Sequence, residues 1–256
     1  MATANYTGRP SNKSQWQPTI PVDQSIYEES STQKAPLGTR LEVGDRVFYY
    51  GKVSASAAVT PGYVLSAPQM VASHQADILT PIAANAGVTS VQVTLGAAMT
   101  KNQYAEGYMI VSSGTGAGMS YRIKSNVAAL TAATATIVLY DPIAEPMTAT
   151  SEVNFIPNLY NGVKIGSEVL DTPIGVTVSN VTAGNYAWLQ TAGPASVFHT
   201  AATPAANAVK MGTLGAVAVY NTATTSPLAT ALCIGRNFNL AATSAEQNPI
   251  FLSIRK

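Results

Sequence analysis

Two histidines, one cysteine, a glycine-rich loop and ten carboxylates beyond residue 38 are the groups that could carry chemistry in this 256-residue chain. A transition-metal site needs imidazole, thiolate or carboxylate ligands at fixed spacing. His74 (in Ser73-His74-Gln75) and His199 (in Phe198-His199-Thr200) have no second His or Cys at such spacing, and neither HExxH nor paired Cys occurs. Asp77, three residues after His74, is the one hint of a histidine–carboxylate pair. Both histidines are expected at the surface or in turns. Cys233, in the apolar run Leu232-Cys233-Ile234, forms no intrachain disulfide alone and is expected to act as a buried small hydrophobe. No GxSxG nucleophile motif is present.

Gly114-Thr115-Gly116-Ala117-Gly118 invites a phosphate-loop reading, but its third glycine comes one position early for GxGxxG and no Lys-Ser/Thr follows. Strand-like sequence flanks it on both sides, whereas phosphate loops lead into a helix N-terminus. It is expected to be a hairpin tip. A glycosidase pair can meet only in the fold, but the acids beyond the arm mostly fall at turn positions and the chain has two Trp to line a sugar cleft. The expectation is a protein that is not an enzyme and holds no cofactor or metal.

The elements that would position these groups are short strands. Leu41–Val53 contains a turn, Val43-Gly44-Asp45-Arg46, and then the β-rich run Val47-Phe48-Tyr49-Tyr50. Ser90–Leu95 alternates, with Val91, Val93 and Leu95 on one face. Further strands are predicted at Gly62–Leu65, Tyr108–Val111, Tyr121–Ile123, Thr136–Tyr140 and Val153–Ile156. They resume at Ile174–Val178, Tyr186–Gln190, Ala216–Tyr220, Leu232–Arg236 and Ile250–Ile254. Short helices are allowed at Pro68–Ala76 and near Ala205–Met211, and the Ala/Thr stretches Val127–Thr136 and Asn221–Ala231 are expected as loops or edge strands. Strands at roughly ten-residue spacing with almost no 3.6-residue period predict an all-β sandwich or barrel. Turn-rich sequence between 157 and 172 suggests two β lobes, 39–165 and 166–256.

Residues 1–38 differ from the rest. They are rich in Asn, Ser, Gln, Thr and Pro, with isolated large apolar residues that no helical period links. The expected form is an extended arm whose Trp16, Ile20, Val22 and Ile26 dock on a neighbour.

Charge is scarce. Lys, Arg, Asp and Glu make up 11% of the chain, with a net charge of +1, against roughly 25% charged residues in an ordinary soluble domain. That balance excludes a nucleic-acid binder working by bulk electrostatics and a polybasic membrane-surface protein. An apolar content of 46% excludes an acidic disordered chain. Met1–Gln17 has no apolar run of the secretory kind, and no stretch approaches 18 unbroken apolar residues. Synthesis in a cytoplasm, with no membrane span, is expected.

Four segments, taken in order, form a pattern that extends over most of the chain. The first is Leu37-Gly38-Thr39-Arg40-Leu41-Glu42-Val43-Gly44-Asp45-Arg46-Val47-Phe48-Tyr49-Tyr50, with Pro61-Gly62 after it. The second runs from Glu106-Gly107-Tyr108 through the glycine loop to Ser120-Tyr121-Arg122-Ile123. The third is Pro173-Ile174-Gly175-Val176 and then Tyr186-Ala187-Trp188-Leu189-Gln190-Thr191-Ala192-Gly193-Pro194, similar to a YxWxQxxGP pattern. Asn248-Pro249-Ile250-Phe251-Leu252 closes the set.

In their order and spacing these segments resemble a family of tailed-phage virion proteins, the capsid decoration or cement proteins that stabilise the head, and the resemblance implies a non-enzymatic virion protein on the capsid exterior. It would bind the major capsid protein and bridge capsomers, most simply as a homotrimer at three-fold positions. The alternative class is a phage fibre or knob module that binds a receptor or glycan.

Overall fold

A computed structural model of the chain describes residues 23–75, 82–166, 172–200, 208–219, 233–238 and 245–255. The fold is all-β, as the strand spacing predicts, with fifteen strands and two short 3-10 turns among the described residues. No helix there is long and apolar enough to cross a membrane.

Contacts divide the chain into two units, Met1–Pro68 with Leu159–Lys256, and Gln69–Asn158. The lobes expected from the sequence, 39–165 and 166–256, therefore give way to an insertion of one unit into the other. The reason is strand pairing across the expected boundary. β2 (Arg46–Val53) pairs with β11 (Tyr186–His199), and β3 (Val64–Ser66) pairs with β10 (Pro173–Thr177).

In the first unit the pairings close into two rings that share β11. One ring runs β2, β9 (Asn161–Ile165), β3, β10, β11 and back to β2. The other runs β11, β13 (Val217–Val219), β12 (Ala208–Met211), β14 (Cys233–Asn237), β15 (Glu246–Ser253) and back to β11. β1 (Arg40–Val43) extends β2 as a hairpin through the expected Gly44-Asp45 turn. Ring closure removes the free edges that invite aggregation.

β11 is 14 residues long, far beyond the five-residue strand its sequence suggests. Its first half pairs with β2 and β10, and its second half with β15. A register shift between Gln190 and Ala192 marks the crossing from one ring to the other, as bulges do where a strand changes course. Each ring has its own apolar core. Phe48, Tyr50, Leu65, Trp188 and Leu189 fill the first; Val197, Val209, Ile234, Ile250 and Leu252 fill the second. Trp188 is 1% exposed. Burying an aromatic ring of this size contributes on the order of 4 kcal/mol, an upper bound set by an extended unfolded chain.

The inserted unit is a five-stranded antiparallel sheet in the order β4 (Ser90–Thr94), β7 (Thr134–Leu139), β6 (Ser120–Asn126), β5 (Tyr108–Ser113), β8 (Glu152–Ile156). The alternation read at Ser90–Leu95 holds, with Val91 and Val93 buried beside Met109, Ile123, Ile137 and Phe155. Gly114–Gly118 is the tip of the β5–β6 hairpin, as expected.

Three local readings change. Pro68–Ala76 holds one 3-10 turn, Ala72–His74, in place of a longer helix. The region near Ala205–Met211 contains strand β12, because Val209 and Met211 alternate into the second core. Asn161-Gly162, which reads as a turn, opens β9. The Ala/Thr stretch Asn221–Ala231 lies outside the described residues.

Candidate functional site

The residues with the most reactive side chains are engaged in structure. His74 is fully buried in the inserted unit. Its Nδ1 lies 2.7 Å from the Tyr104 hydroxyl and its Nε2 3.0 Å from the Ala97 carbonyl. A neutral ring satisfies both, with Nε2–H donating to the carbonyl and Nδ1 accepting from the phenol. His199 is also fully buried, between the Val197 carbonyl at 3.1 Å and the Asn237 side chain at 3.3 Å. His74 does close a 3-10 turn, but both rings are buried where the surface was expected, each between a backbone carbonyl and a polar side chain. Asp77 lies outside the described residues.

Cys233 is exposed, against the buried reading, because it opens β14 with the following Ile234 taking the core position; its Sγ donates to the Gly235 carbonyl at 3.3 Å. Among the described residues no three His, Cys, Asp or Glu gather in a way that could hold a metal ion.

Of the four arm residues expected to dock on a neighbour, Trp16, Ile20 and Val22 lie outside the described residues. Ile26 is 2% exposed and belongs to the first core of its own chain, so its side chain is not free to anchor on another molecule. The arm from residue 23 onward is strapped to the first ring. Buried Gln24 is the clasp. Its Oε1 accepts from the Tyr50 hydroxyl at 2.7 Å, its Nε2 donates to the Glu28 and Tyr186 carbonyls at 2.9 Å, and its own carbonyl accepts from Trp188 Nε1 at 3.2 Å. Ser30 bridges to Tyr186, and the Glu29 carboxylate accepts from both the amide and the hydroxyl of Thr182. The Thr182 amide holds the Glu29 carboxyl below the usual carboxylate range. Burial pushes the Tyr50 phenol up to about 12.

Three of the four segments of the family resemblance meet on one strand, while the second lies in the inserted unit. Trp188 faces Tyr50, Leu189 faces Tyr49 and Gln190 faces Phe48 across β11–β2. Gly193 faces Leu252 and Ala195 faces Ile250 across β11–β15. Trp188 packs edge-on against Tyr50 at 5.0 Å within the first core. Gln190 is buried, and its amide donates to the Ala192 and Pro194 carbonyls at 3.1 and 2.7 Å, holding the bulge.

A cleft of about 470 Å³ opens at that bulge. Arg46, Tyr27, Gln190, Ser196, Thr177 and Gln247 supply its polar lining, and Val176, Pro61 and Pro194 its apolar walls. Two close approaches shape it. Gly193, at φ +88, lets the chain pass so near the β1–β2 turn that a Cβ there would lie 2.4 Å from the Asp45 carbonyl and 3.1 Å from Arg46 Cγ. Gly62, at φ +82, leaves space for the Gln247 amide, whose Nε2 donates to the Pro61 carbonyl at 3.2 Å. The Arg46 guanidinium sits 5.4 Å over the Phe48 ring. No carboxylate among the described residues lies within ion-pair distance of it. Sequence reading placed Arg46 in a turn and missed its role, since the cleft exists only where three remote segments meet. No family model matches the chain, and neither a curated protein nor a solved structure is detectably similar to it.

Proposed function

We propose that this chain is a virion structural protein, a decoration protein that binds the outer surface of an assembled phage capsid and bridges capsomers. Its partners would be the major capsid protein and further copies of itself, most simply as a homotrimer. The observation that carries the reading is the convergence on β11. Three of the four stretches matched to the family as sequence alone, spread between residues 37 and 252, become one packed frame around one strand; the other, Glu106 to Ile123, forms a hairpin of the inserted unit.

Two further features suit the role. The histidines are spent on structural hydrogen bonds. Sparse charge lets neutral faces pack against a shell without the cost of desolvating ions.

The test is saturable co-sedimentation of purified protein with expanded capsids lacking it, read with the capsids' melting temperature. Binding with a raised melting temperature is expected. Absence of binding to every capsid form of the phage that encodes the chain would overturn the proposal.

A further inference from the structure

The cleft on the first unit is built to hold one anionic group beside neutral hydrogen-bonding groups, and we propose that it is a binding site for a carboxylate-bearing saccharide, such as a uronic acid residue of a surface polysaccharide. This inference is independent of capsid binding.

The charge argument comes first. Arg46 is the one permanently charged side chain lining the cleft. It is half-buried, has no carboxylate partner among the described residues, and stays ionised at any working pH. Its stem runs past Gly193 and its guanidinium lies over Phe48. The group is therefore held in place before a ligand arrives, which lowers the ordering cost of binding. A guanidinium matches a carboxylate bidentately. A phosphate dianion is commonly met by several cations or by a loop of backbone amides, and the cleft lining includes no second Lys or Arg.

The neutral groups point to a polyhydroxylated ligand. Gln247 and Ser196, both exposed, line the cleft with Arg46; the Ser196 hydroxyl donates to Gln247 Oε1 at 3.5 Å and Gln247 Nε2 to the Pro61 carbonyl, which leaves the second amide N–H and the hydroxyl lone pairs for a ligand. Tyr27, 58% exposed at the rim, offers an aromatic face of the kind on which a sugar ring stacks. The volume falls in the range of small-molecule sites, roughly 300–1,000 Å³.

An acidic peptide is the competing occupant, and the topology disfavours it. β10, β11 and β15, which border the cleft, are each paired on both sides within the rings. No strand edge is left there for an extended peptide to join.

The experiment is ligand-observed NMR and calorimetry on the full chain at low salt. The probes are digalacturonate, the neutral digalactose of the same size, and a tetraglutamate peptide. Variants are Arg46→Gln, Arg46→Lys and Tyr27→Ala, with Arg122→Gln, which does not line the cleft, as a charge control. Expected are digalacturonate binding at least ten-fold tighter than digalactose, a ten-fold or greater loss in Arg46→Gln, a smaller loss in Arg46→Lys, and none in Arg122→Gln. Tyr27→Ala, an exposed position that folding does not depend on, should weaken binding several-fold even if Arg46→Gln fails to fold. The proposal is overturned by equal binding of acid and neutral sugars, by binding that Arg46→Gln and Tyr27→Ala both leave unchanged, by tetraglutamate binding alone, or by no saccharide binding at millimolar concentration.

Discussion

Gly193→Ala tests whether the central strand is held in place by a close backbone passage. The matched control is Gly184→Ala. Both glycines belong to the first unit and both adopt left-handed backbone, φ +88 and +82. A Cβ in that region costs roughly 1–2 kcal/mol, and alanine recovers roughly 0.4–1 kcal/mol by restricting the unfolded chain. At Gly184 nothing lies within 4 Å of the added carbon, so the net loss there should be about 1 kcal/mol. At Gly193 the carbon would lie 2.4 Å from the Asp45 carbonyl oxygen, a backbone atom in the β1–β2 turn. Either the turn or β11 must shift, and overpacking of this kind costs about 1–3 kcal/mol more.

Urea unfolding followed by Trp188 fluorescence, in a Trp16→Phe background, reads the first unit. Gly193→Ala should unfold at clearly lower urea, by about 2 kcal/mol beyond Gly184→Ala. Equal midpoints, or a larger loss in Gly184→Ala, would show that the passage is not under constraint and that the convergence on β11 has been misread.

Gln24→Ala removes the side-chain clasp of the strap and takes the acceptor from the buried Tyr50 hydroxyl and the donor from the Glu28 and Tyr186 carbonyls; a loss of about 2–3 kcal/mol is expected, with faster proteolysis before residue 35 in native buffer. Alkali should weaken both units. The Tyr50 and Tyr104 phenols are pushed up to about 12 by burial, above the ordinary value near 10 in the unfolded chain. The unfolded chain thus loses these protons first. Stability is complete below about pH 10 and declines between pH 10 and 12, by about 1.4 kcal/mol per pH unit for each tyrosine; Tyr104→Phe should flatten that decline for the inserted unit. Deleting residues 2–22 should leave the melting temperature of the first unit unchanged yet weaken capsid binding at least ten-fold, whereas deletion through residue 35 should also remove buried Gln24, Ile26 and Ala35 and unfold the first ring.

Strands that alternate against a single core were legible in the sequence. Ser90–Leu95 and Val153–Ile156 bury every second residue, so period and burial coincide. β11 was legible only to Gln190, because beyond it Ala192-Gly193-Pro194 carries turn residues that here form a bulge between two rings. β12 was hidden by an alanine-rich context that favours helix locally, and the second core overrides that preference. The histidines show the same limit. Nothing near His74 in sequence announces Tyr104, thirty residues on, whose hydroxyl fixes the ring. The cleft was the least legible feature. It needs Arg46, Gly193 and Gln247 together, and only the shared strand brings them to one place.

The central claim is that the chain sits on the outside of a capsid and ties neighbouring subunits together. Electron cryomicroscopy of the virion whose genome encodes it is the most direct measurement. The account predicts density for the two-ring unit on the outer surface at three-fold or quasi-three-fold positions, in contact with at least two capsomers. Its absence from the shell, or its presence only in the tail or fibres, would contradict the account.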